Sequence, residues 1–234
     1  MKSPKQNFRA TPQENRNDNA YRFGYPQHCT KCKVFSKTAV NLQVDPYYQS
    51  SGNLRLMLIG QDPTIFNDPE RVKQVLMLNE SNGQLALWLK DLIGKGYDFV
   101  TLYATNLVKC TFGMPPSTTR EGGLKFLQPY FEICKDYLVK ELNGFAPNCV
   151  LTLGEPAHML FRSILDNAAT IPETMQTAFS GRFIKARLGE LEFDYSPCLH
   201  IKTFRVAEVY GEKVGTFKEG MKSYFSDSNV QDIY

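Results

Sequence analysis

Three apolar runs, each closing on a glycine or a polar side chain, constrain this chain more than any other feature. Leu54-Arg55-Leu56-Met57-Leu58-Ile59 ends at Gly60, Phe99-Val100-Thr101-Leu102-Tyr103-Ala104 ends near Asn106, and Cys149-Val150-Leu151-Thr152-Leu153 ends at Gly154. Short apolar runs bounded by turn signals read as strands buried on both faces. Helical patterns lie between them. Leu85, Trp88, Leu89 and Leu92 recur at helical spacing after Ser81-Asn82-Gly83, and Gly94 stops the helix. Pro129 suits the first turn of a second helix with Phe131, Cys134, Leu138 and Leu142 on one face, and Pro156 opens a third through Leu165. Strands alternating with helices make a parallel sheet covered on both faces. The expectation is the α/β class: a three-layer α/β/α sandwich around a short, mainly parallel four-stranded sheet. Its fourth strand is a weaker run from Tyr195 to Ile201 that contains Pro197, and Phe183 to Phe193 reads as a β-hairpin leading into it. Ligands of such sheets bind where the strands end.

A chain of 234 residues, 42% apolar and 22% charged, suits one core-forming domain. Residues 1–20 are polar and read as a flexible tail, leaving 21–234 as a single domain that opens with a cysteine-bearing loop. No stretch approaches the length of a membrane span, so the reading is a cytoplasmic protein with no membrane partner, and a monomer. The net charge of +3 neither requires nor excludes a nucleic acid, because local patches outweigh the sum. Six cysteines in such a chain call for metal binding, catalysis or burial rather than disulfides.

Cys29-Thr30-Lys31-Cys32 is a CxxC pair in a loop, and the absence of a second CxxC rules out a zinc ribbon of the usual four-cysteine spacing. Cys149 and Cys198 fall in apolar strands and read as small buried residues. Cys110 follows a strand end. Cys134 shares a helix face with Phe131 and Leu138, and periodicity alone makes it a core position. Thiolates at Cys29, Cys32, Cys110 and Cys134 would suit a [4Fe–4S] cluster or zinc, and spacing does not choose between them.

The loop Gly60-Gln61-Asp62-Pro63, the segment Thr105-Asn106-Leu107-Val108-Lys109-Cys110 and the segment Leu151-Thr152-Leu153-Gly154, in that order, resemble the uracil-DNA glycosylase superfamily. The cysteine layout is similar to that of its iron–sulfur branch, in which a CxxC joins one Cys after the Asn-bearing strand and one on the next helix. The resemblance runs from about Cys29 to Arg205. It implies a [4Fe–4S] cluster on Cys29, Cys32, Cys110 and Cys134. The GQDP loop itself resembles the cluster-free branch, whose Asp handles the attacking water. That role therefore passes to Asp62, with Gly60 and Gln61 lining the pocket. The superfamily's His-Pro-Ser motif reads His200-Ile201-Lys202-Thr203 here: the His is kept, the Pro and Ser are not. The family's stacking Phe has no match in Val75-Leu76-Met77-Leu78-Asn79, and Phe66 is the candidate substitute. Thr64 stands where a Tyr blocks the thymine methyl.

Chemistry at these positions is coherent. A base inside DNA must be flipped out and read along its edge. The Asn106 carboxamide carries one donor face and one acceptor face, which match the N3–H and O4 of uracil and mismatch cytosine. Loss of the base leaves positive charge on the sugar and negative charge on the base. Asp62 answers the first, and His200 the second through O2. Ser117, Lys202, Thr203 and Arg205 are the candidate contacts to DNA. The expected substrate is uracil-containing DNA. Alternatives are another deaminated base, such as hypoxanthine or mismatched thymine, and a relative that binds uracil-DNA without turnover.

Overall fold

The computed structural model of the chain describes residues 21–27, 29–34, 39–63, 74–80, 83–112, 115–200 and 210–226. Strands β1 (Ala39–Gln43) and β2 (Tyr47–Gln49) precede β3 (Leu54–Gly60), helix α1 (Gln84–Ile93), β4 (Val100–Asn106) and β5 (Cys110–Phe112). Helix α2 (Gly123–Phe145), β6 (Cys149–Leu153), α3 (Glu155–Arg162) and α4 (Met175–Ala178) follow, and β7 (Ile184–Leu188), β8 (Leu191–Cys198) and α5 (Lys213–Ser226) complete the order.

The main sheet has six strands in the order β2-β4-β3-β6-β8-β7. The expected count of four was too low. Its inner four strands are parallel, as expected. The two additional strands are antiparallel edges. Strand β2 is only three residues long, too short to show a period of two, and is defined by its pairing with Ala104, Tyr103 and Leu102. Strand β7 is the first arm of the hairpin foreseen over 183–193, closed at Leu188↔Leu191 by Gly189-Glu190.

Alternation along β3 sends Met57 and Ile59 into one core and Leu56 and Leu58 into the other. The first core contains Phe131, Leu138 and Leu142 of α2 and Ala157, Leu160 and Phe161 of α3. The second contains Leu85, Leu89 and Leu92 of α1 and Phe217, Met221 and Phe225 of α5. Each fully buried Leu or Phe is worth about 1.5–3 kcal/mol, so both faces contribute heavily to the fold.

Three boundaries differ from the sequence reading, the first being α3, which ends at Arg162 rather than at Leu165. Helix α2 begins at Gly123, and Pro129 lies inside it rather than in its first turn. The carbonyl that loses its partner belongs to Lys125, which is exposed together with Pro129, so water can replace the missing donor. Strand β8 runs from Leu191 to Cys198 instead of starting at Tyr195. Its ladder with β7 reaches no further than Tyr195, so Pro197 faces a side with no strand to receive an N–H. The tail over residues 1–20 and Ile201 lie outside the described residues. Among the described residues no helix is long and apolar enough to cross a membrane.

Candidate active site

The parallel register fixes what meets at the sheet's C-terminal edge. Gly60 is the partner of Asn106, Ile59 of Thr152, and Leu153 of Cys198. Two further backbone bonds extend the first pair beyond the strands, Leu107 N–H to Gly60 O at 2.9 Å and Val108 N–H to Gln61 O at 3.1 Å. The chains leaving β3 and β4 are thereby held side by side.

Asn106 is 1% exposed, and neither its Nδ2 nor its Oδ1 has a hydrogen-bond partner among the described residues. A Cβ placed on Gly60 would lie 2.3 Å from that Oδ1 and 2.9 Å from Cδ2 of Leu76. Glycine is thus required at position 60 for the carboxamide to sit where it does. Asp62 is half-buried, and Gln61 Nε2 donates to its Oδ1 at 2.7 Å.

On the other half of the edge, Gly154 donates to Cys198 O at 2.7 Å and takes a positive φ of 95°. A Cβ there would lie 3.6 Å from Cβ of His200, so the His200 side chain leaves β8 directly beside this turn. His200 is exposed. Ser117 is exposed in a single helical turn over Pro116–Thr118. A Cβ on Gly123 would lie 3.8 Å from Ser117 Cα and 3.9 Å from Pro156 Cγ, which joins the Ser117 turn to the start of α3. The fold therefore brings Gly60, Gln61, Asp62, Asn106 and His200 to one edge. Phe66, Lys202, Thr203 and Arg205 lie outside the described residues. An open cleft of about 630 Å³ beside α4 and α5, lined by Phe179, Arg182 and Lys213 among others, contains none of the strand-end residues.

A family model, that of the uracil DNA glycosylase superfamily, matches residues 46–206. The chain belongs to this superfamily. No curated protein matches it. Membership supports DNA glycosylase chemistry and DNA binding. The matched superfamily segment contains Asp62, Asn106, Cys110, Cys134 and His200 and stops short of Cys29 and Cys32.

The cysteines approach one another behind Asn106. All six are free thiols. The neighbouring Cys110 pushes the Cys32 thiol up to about 11, while Cys32 lowers that of Cys110 and raises that of Cys134, so the three thiols act on one another. Cys29 Sγ lies 3.7 Å from the Tyr137 hydroxyl. Cys32, Cys110 and Cys134 are buried. The CxxC segment is held by the side chain of Gln43, which accepts from Cys29 N at 3.3 Å and donates to Pro26 O. Gln43 in turn pairs with Cys110 across the β1–β5 ladder. Among the described residues no group of three or more His, Cys, Asp or Glu side chains could hold a metal ion. Cys149 and Cys198 are fully buried in strands, as expected.

Sequence reasoning missed one pair. Lys109 Nζ lies 2.8 Å from Oε1 and 2.9 Å from Oε2 of Glu141, with only the second in line for a hydrogen bond, and both residues are almost wholly buried. The same ammonium donates to Thr105 Oγ1 and Asn106 O, each at 2.7 Å, and sits 5.2 Å from the Tyr25 ring centre. Burial pushes the Glu141 carboxyl up and the Lys109 charge opposes it. The available signal was a glutamate on an otherwise apolar face of α2, between Leu138 and Leu142.

Proposed function

We propose that the protein hydrolyses the N-glycosidic bond of uracil in DNA. The observation that carries this reading is the Asn106 carboxamide, buried beside Gly60 with both polar atoms unpaired. Such a group costs about 1–3 kcal/mol unless a partner completes it. Its donor and acceptor, side by side, match the N3–H and O4 of a flipped uracil.

In this reading Asp62 faces the sugar of the flipped nucleotide. Its carboxylate stabilises the cation that develops as the bond to N1 lengthens, and it orients the water that adds at C1′. Gln61 fixes the carboxylate through the 2.7 Å bond to Oδ1. His200 donates toward O2, where the leaving base gathers negative charge, and one such donor is typically worth roughly 3 kcal/mol of barrier. Ser117, Lys202, Thr203 and Arg205 hold phosphate on either side, Phe66 contributes to the base pocket, and the protein acts as a monomer.

Cys29, Cys32, Cys110 and Cys134 would hold a [4Fe–4S] cluster. The donor set supports it: four free thiols, three of them buried and close enough to shift one another's titration. When bound it supplies a structural tie, and base hydrolysis needs no electron from it.

The decisive experiment incubates the protein with oligonucleotides carrying uracil, hypoxanthine or mismatched thymine, followed by alkali. Strand breakage at uracil is expected. Breakage confined to hypoxanthine, whose N1–H and O6 offer the same pair of groups, would move the assignment to that base. No breakage at any base, with tight binding to uracil-DNA, would leave only a binding role. Iron and sulfide assays on an anaerobic preparation should find both; zinc without iron would remove the cluster.

A further inference from the structure

The turn that follows the undescribed stretch after GQDP is held in a conformation that side chains rarely adopt. Leu76 has φ 60° and Met77 has φ 53°, two consecutive non-glycine residues in the left-handed region. For an L-residue this costs roughly 1–2 kcal/mol each. The surroundings enforce it. Val75 and Leu78, on either side, are buried in the second core, Val75 N–H donates to Asp45 O at 2.8 Å, and Met77 N–H donates to Gln74 O at 3.0 Å. Leu76 itself is only half-buried. A Cβ built on Gly60 would lie 2.9 Å from Leu76 Cδ2 and 2.3 Å from Asn106 Oδ1, so the Leu76 side chain and the carboxamide both crowd the same face of Gly60.

From this juxtaposition we infer that Leu76 is the apolar wall of the base pocket, a specificity-determining residue whose strained backbone aims an aliphatic side chain beside the Asn106 carboxamide. The inference rests on the base-excision reading. Strain of this kind persists where the surrounding structure holds it, and it collects at ligand clamps. A methyl group cannot hydrogen-bond the carboxamide, so it screens that group from water without satisfying it. An incoming pyrimidine then supplies the only partners while the leucine covers the base. The wall is aliphatic, so it offers contact and exclusion of water but no aromatic stacking.

The test compares wild type with Leu76→Gly, Leu76→Ala and Leu76→Met on uracil-containing DNA, with free uracil as competitor. Leu76→Gly relieves the left-handed strain, so its unfolding midpoint should stay near wild type while KM rises about tenfold, the usual scale for lost apolar contact in a pocket. The inhibition constant of free uracil should rise in parallel, and kcat should change little. Leu76→Ala should behave alike, and Leu76→Met, which keeps the volume, should retain activity. An active wild type with unchanged KM and unchanged uracil inhibition in both truncated variants overturns the wall alone. A wild type inactive on every base overturns the base-excision reading and the wall with it.

Discussion

Asn106 closes β4 and Lys109 follows it three residues later, and both are about 1% exposed. The Lys109 ammonium has Thr105, the Asn106 carbonyl and Glu141 around it. The Asn106 carboxamide has no partner on either atom among the described residues. Buried polar groups are normally paired, and the cost of leaving one bare exceeds the gain from making an ordinary bond. One short segment therefore holds a group completed by the fold beside a group the fold leaves incomplete. The first serves stability and the second waits for a ligand. Lys109 also fixes the backbone from which Asn106 projects, so the satisfied group positions the unsatisfied one.

That contrast can be broken by mutation. The largest effect should come from Asn106→Ala: kcat/KM for uracil release is expected to fall about 10³-fold, since the readout of the base edge and the charge it meets are both lost. Its unfolding midpoint should hold, because the amide removed was unpaired, and a marked loss of stability in urea would refute the distinction. Lys109→Met should do the reverse and destabilise by about 3–5 kcal/mol by stranding Glu141 without a counter-charge. Adding Glu141→Leu should recover most of that loss. Gly60→Ala lies between the two. Its new methyl must displace the Asn106 oxygen or Leu76, at about 1–3 kcal/mol of stability together with reduced activity. Full activity in that variant would show that the carboxamide geometry is not needed.

The smallest effect concerns pH. His158 bonds the Tyr195 hydroxyl at 2.7 Å and Pro172 O at 2.9 Å, and burial lowers its pKa below the usual 6.5. Between its lowered folded value and 6.5 the unfolded chain binds more protons, so stability rises with pH there and is lost as the solution is acidified through that window. The slope is at most about 1.4 kcal/mol per pH unit. His158→Gln should flatten the acid side of a plot of unfolding midpoint against pH, and an unchanged slope would show that another group titrates.

The central strands and α1 were legible because their residues act locally: strand runs end at Gly60, Asn106 and Gly154, and Gly83 and Gly94 bracket the helix. Edge strand β2 was not, since three residues carry no period and its existence depends on β4. The four cysteines were grouped by the resemblance and not by their spacing, because what brings the CxxC loop to Cys110 is Gln43 and the β1–β5 ladder. Lys109–Glu141 was hidden for the same reason, being a contact across 32 positions. Leu76 was passed over because its importance lies in φ rather than in its side-chain class. Asp62 and His200 were read from motif order, and the fold sets both at one edge.

Helix α2 carries Cys134 and Glu141 seven positions apart, two turns along the same face. Seven residues bring a helix back to within about 20° of its starting direction, while a single insertion or deletion turns everything beyond it by about 100°. A length change between those two residues would swing either the thiol or the carboxylate out of the core. Relatives that keep both should thus show no gaps across this interval in an alignment, even where the loops around it vary freely in length.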